Sequence, residues 1–80
     1  MATPKAIQRN FGRVLRDFRE DAGISQERLA NDSGLHKNYV GEIERGLKSP
    51  SLKTITALAS TLGVLPSELL REAEKRAGKG

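Results

Sequence analysis

An all-α fold in one domain is predicted by three observations. Apolar residues recur at helical spacing and no stretch alternates with period two. Glycines and prolines fall between the apolar runs at short intervals, so the connections are brief. Eighty residues leave room for a single small domain. The expected object is a compact bundle of five helices spanning residues 1–80, with no linker, internal repeat or low-complexity tract.

Thr3-Pro4 reads as an N-cap followed by proline at the first helical position. Ile7, Phe11, Val14, Leu15 and Phe18 then lay down one apolar stripe, and Gly23 closes this first helix. Ser25 can cap a short second helix to about Asp32, with Leu29 and Ala30 inward and Gly34 ending it. Leu35 and His36 lead into a third helix carrying Val40 and Ile43, closed by Gly46. Ser51 caps a fourth, with Leu52, Ile55, Leu58, Ala59 and Leu62 on its apolar face and Gly63 at its end. Pro66 opens a fifth, with Leu69, Leu70 and Ala73, before the AGKG tail frays.

Composition excludes several functions. With no cysteine there is no disulfide framework, thiolate zinc site or cysteine nucleophile, and one histidine cannot supply the commoner metal sites. A chain this short buries only roughly 60% of its unfolded surface, which leaves little material for a deep catalytic cleft. No catalytic residue, cofactor or metal is expected, and the chain does not read as an enzyme. No apolar run approaches the roughly 18 residues of a membrane span, and MATPKAIQRN lacks a signal-peptide core, so a cytoplasmic protein is expected.

The charge is uneven. Lys and Arg number 14 against 10 Asp and Glu, and residues 1–19 alone carry as much net charge, +4, as the whole chain. That cluster suits a polyanion such as DNA, but on charge alone the expectation is a solvated helix face, for Arg9 and Arg13 in particular.

The informative stretch is QERLANDSGLHKNYVGEIERG, residues 26–46. Two helices can cross steeply over a short turn only where a small side chain makes the contact and the turn tolerates an unusual backbone. Ala30 supplies the first and Gly34 the second; Leu35 plugs the corner, and Val40 and Ile43 pack the following helix. This joint spacing is that of a helix-turn-helix.

The runs S-Q-x-x-L-A, Y-V-x-x-I-E-R-G and S-P-S-L-x-x-I-x-x-L-A-x-x-L-G-V, between Ser25 and Val64, resemble the Cro/C1-type (XRE) helix-turn-helix regulators. Among these the chain looks most like small phage repressors and restriction-modification controller proteins. The resemblance implies a lambda-repressor-like fold and a transcriptional regulator that binds double-stranded DNA as a homodimer on a pseudo-palindromic operator. It also implies that the third helix enters the major groove, which would place His36, Lys37, Asn38 and Glu42 at base edges. For His36 a helix cap is an equal alternative, and for Glu42 a salt bridge orienting a neighbouring base-reading cation. Ser25, Gln26, Tyr39, Arg45 and Lys48 would meet phosphates, with packing alone the alternative for Tyr39. Arg19 and Glu44 match a family ion pair that clamps the first helix to the third. An antitoxin whose main partner is a toxin is the competing role, and RNA polymerase is a further candidate partner that no residue marks.

The dimer interface is expected on the fifth helix and the turn before it, about residues 63–77. Leu65, Leu69, Leu70 and Ala73 arrive late in a chain with little core left to cover them; the alternative is that Leu69 and Leu70 fold back onto the first and fourth helices, which for Leu69 is the expectation, so Leu65 and Leu70 carry the interface.

Overall fold

The computed structural model describes residues 2–78, and among them the only regular elements are five helices. These are α1 (Pro4–Asp21), α2 (Gln26–Ser33), α3 (Lys37–Glu44), α4 (Leu52–Leu62) and α5 (Pro66–Gly78). Local chemistry explains where they begin. The Thr3 hydroxyl accepts from the Ala6 N–H at 3.1 Å, Ser25 from Arg28 at 3.0 Å and Ser51 from Thr54 at 3.1 Å, each satisfying a donor that the first turn would otherwise leave orphaned. Between α2 and α3, Gly34 sits at φ +71, a conformation other residues adopt only at a cost, and its N–H and that of Leu35 return to the end of α2.

The core lies where the five helices converge. Phe11, Val14 and Leu15 of α1 meet Leu29 and Ala30, Val40 and Ile43, Ile55, Leu58 and Ala59, and Leu69 and Ala73, all buried. Each large aliphatic or aromatic side chain so placed contributes about 1.5–3 kcal/mol. α1 packs against both α3 and α5, α2 bridges α3 and α4, and α4 also touches α5.

Gly12 is the crossing point of α1 and α3. A Cβ there would lie 2.2 Å from the Ile43 carbonyl oxygen and 2.7 Å from that of Glu44, so only glycine lets the helix backbones approach this closely.

Three expectations change. Leu69 and Ala73 are fully buried against the core, one turn apart on the inner face of α5, and offer nothing to a dimer interface. Leu52, expected on the apolar face of α4, is 74% exposed; Thr54 takes the buried place instead, its hydroxyl accepting from Ser51 at 3.0 Å. Asp17 is exposed and receives Arg76 Nη1 at 2.8 Å, which ties α1 to α5. α5 continues through Ala77 and Gly78, beyond the expected fraying point, while the end of the AGKG tail, residues 79–80, lies outside the described residues.

Candidate nucleic-acid interface

α3 presents one face to the core and one to solvent. Val40 and Ile43 are buried, while Lys37, Asn38 and Arg45 are exposed and Glu42 half-buried. Its first turn is held by His36, whose Nδ1 accepts from the Asn38 N–H at 3.1 Å. The cap expected as one alternative is therefore formed. With Nδ1 accepting, the proton of the neutral ring sits on Nε2, so the exposed edge of the imidazole is a donor.

Lys37 reaches Glu27 of α2 at 3.7 Å, an exposed pair of little energetic weight. Glu42 has no ion-pair partner among the described residues, so the orienting salt bridge considered for it is not made. The Tyr39 ring packs against the core.

Behind this face lies a polar cluster. Arg19 donates from Nε to Glu44 Oε2 at 2.7 Å and from Nη2 to Oε1 at 3.2 Å, and its Nη1 reaches the Ile24 carbonyl at 2.8 Å. Only 11% of the Arg19 side chain and 3% of the Glu44 side chain remain exposed. The hydrogen bond to Glu44 raises the Arg19 pKa above its ordinary value, against an opposing effect of burial. The expected clamp of α1 onto α3 is present.

Gln26 enters the same cluster, its Nε2 donating to Glu44 Oε1 at 2.9 Å. The expectation for this amide is a phosphate contact, with a simple exposed helix residue as the alternative, and neither includes its orientation by Glu44. The Gln26 and Arg45 side chains converge over Gly41, whose missing Cβ would lie 3.6 Å from Gln26 Oε1 and 3.5 Å from Arg45 Nη1. Ser25 caps α2 beside them, and Lys48 stands exposed in the turn after α3. Two residues went unremarked: Gln8, which donates from Nε2 to the Gly46 carbonyl at 2.9 Å, and Leu47, which is 62% exposed between Arg45 and Lys48. A polar residue on the helix face shared with Pro4, Ile7, Phe11 and Leu15 was the available signal for Gln8.

The sequence profile described as Helix-turn-helix matches residues 15–69, which carry α2, α3 and α4 complete. The chain belongs to the Cro/C1-type (XRE) helix-turn-helix family. It is similar to the control protein C.BamHI of Bacillus amyloliquefaciens, 41% identical over 61 residues that cover 75% of each chain. It is also similar to the phage CTXphi transcriptional repressor RstR of Vibrio cholerae, 38% identical over 64 residues, 80% of this chain and 58% of that one. Among solved structures, the restriction-modification controller protein C.AhdI of Aeromonas hydrophila superposes with a TM-score of 0.76 at 47% identity, over 78% of this chain and 94% of that one. As an XRE regulator, the protein is a DNA-binding transcriptional regulator and not an enzyme. Among the described residues no helix is long and apolar enough to cross a membrane.

Proposed function

We propose that the chain acts as a homodimer on a pseudo-palindromic operator, with α3 of each protomer in a major groove. The observation that carries this is the solvent face of α3. Its first turn is capped by His36, presents Lys37 and Asn38, and has Gln26 and Arg45 converging beside it. Lys can donate to guanine O6 and N7, Asn can pair with adenine and Glu42 can accept from cytosine N4. Ser25, Gln26, Tyr39, Arg45 and Lys48 flank that face, as residues holding backbone phosphates would. One such helix reads too few base pairs to be selective, and two-fold pairing doubles the site.

Leu65, 62% exposed, and the half-buried Leu70 support a dimer contact at the start of α5, which leaves α3 free. The likeness to C.AhdI and C.BamHI favours the genes of a restriction-modification system as targets, in the cytoplasm where their DNA lies.

Selection of bound duplexes from a random pool tests this reading, since a dimer will enrich two inverted half-sites about one helical turn apart, roughly 34 Å. On the selected duplex, Arg45 and Lys48 neutralising one phosphate each per protomer contribute roughly −4 to the slope of log affinity against log salt. A single unrepeated motif would overturn the dimer, and a slope near zero would remove the phosphate assignments.

A further inference from the structure

Lys5, Arg9 and Arg13 follow one another at four-residue intervals along the N-terminal half of α1, all exposed. Like charges at that spacing repel, so the helix carries the stripe at a cost. None of the three is ion-paired among the described residues, whereas Arg16, Arg19, Arg28, Lys37, Lys75 and Arg76 all are.

The stripe is fastened to the loop that follows α3. Gln8 donates to the Gly46 carbonyl at 2.9 Å, and the Arg9 backbone lies so close to Gly46 that a Cβ there would be 3.3 Å from Arg9 Cα. Gly46 stands between Arg45 and Lys48, which are also exposed and without an acidic partner among the described residues. Beyond Arg9, the cationic surface continues through Arg13 along an open groove of about 510 Å³ between α1 and the end of α5.

We propose that Arg9 and Arg13 form a second phosphate-binding stripe, holding the DNA backbone beyond the groove segment that α3 occupies. The inference rests on the operator reading above and extends its footprint to α1. A row of cations joined to the α3–α4 turn suits a partner whose charges also repeat, and the DNA backbone is such a partner. A stripe of this kind adds affinity and salt dependence without changing which bases are preferred.

The test compares the full chain with Arg9→Gln/Arg13→Gln, Arg9→Lys/Arg13→Lys and Arg13→Gln alone. Each is measured on a selected duplex with about ten flanking base pairs per side and on the same duplex trimmed to the half-sites. On the flanked duplex, the double Gln variant is expected to flatten the salt slope by about 2 per protomer and the single variant by about 1. The Lys pair should restore the slope, and on the trimmed duplex the variants should approach the parent. Base preference should stay as in the parent. The Arg13 side chain makes no hydrogen bond or ion pair among the described residues, so its single variant answers the question even if altering Arg9 disturbs the Gly46 contact. A parent with a steep salt slope and an Arg13→Gln variant of identical slope and affinity on the flanked duplex would overturn the stripe and leave the operator reading standing. A parent with no salt dependence would instead sink the operator reading itself.

Discussion

Arg19 and Glu44 meet through two hydrogen bonds, Nε to Oε2 at 2.7 Å and Nη2 to Oε1 at 3.2 Å, in a site almost closed to water. The paired geometry joins the C-terminal half of α1 to the end of α3, and Gln26 adds a third donor from α2. One carboxylate thus sets the relative positions of three helices, including α3, the helix proposed to face DNA.

Arg19→Ala should therefore destabilise the fold by about 3 kcal/mol, because Glu44 would stay buried without its cation. For a domain of this size, melting should fall by more than about 10 °C, with operator affinity falling in parallel. The raised Arg19 pKa fixes the sign of any pH effect. Stability from the cation is complete below the ordinary arginine value and is lost only as pH rises through the higher folded value, so it is constant across the neutral range. Unchanged melting of Arg19→Ala would show that the clamp carries no weight.

Two helical glycines should respond oppositely to alanine. At Gly12 the new Cβ would collide with the Ile43 and Glu44 carbonyls, backbone atoms that cannot step aside, and the α1–α3 crossing must open. A loss of about 1–3 kcal/mol is expected, despite the better helix propensity of alanine. At Gly41 the nearest neighbours are the ends of the Arg45 and Gln26 side chains, at 3.5 and 3.6 Å, which is ordinary contact. Gly41→Ala should leave stability unchanged or raise it by up to about 1 kcal/mol. Chemical denaturation of the two variants decides the matter, and equal effects would contradict it.

Leu65→Asp and Leu69→Asp separate interface from core. Leu65 is exposed and Leu69 is fully buried. The first should give a folded monomer with weakened operator binding, visible by sedimentation, and the second should unfold the domain. A Leu65→Asp variant that remains dimeric at micromolar concentration would move the interface elsewhere.

Lys37→Ala and Asn38→Ala should relax base preference at particular operator positions by about 1–3 kcal/mol each, while Arg45→Ala should weaken binding to all sequences alike. Affinity measured against single-base operator variants distinguishes the two patterns. A uniform loss from Lys37→Ala would reassign that side chain to the backbone.

Local chemistry made the five helices legible in the sequence. Thr3-Pro4, Ser25 and Ser51 satisfy the first N–H groups of their helices, and Gly34 turns the chain, through bonds that span five residues or fewer. Ala30, Val40 and Ile43 could be placed in the core because the two helices of the motif are joined by so short a turn that their mutual orientation has little freedom. Arg19 and Glu44 lie 25 residues apart, and only the family resemblance paired them.

What the tertiary structure decided was the rotation of each helix about its own axis. Leu69 and Ala73 turn inward because α1 covers that side of α5, and Leu52 turns outward because Thr54 and Ile55 occupy the buried side of α4. Gly12 is the place where two helix backbones touch, which no local pattern in the sequence marks. Asp17 finds Arg76 across 59 residues, and the Gln26 amide finds Glu44 across 18. Periodicity tells which residues share a face, but the choice between two half-apolar faces depends on what the neighbouring helices bring, and that is settled only when they dock.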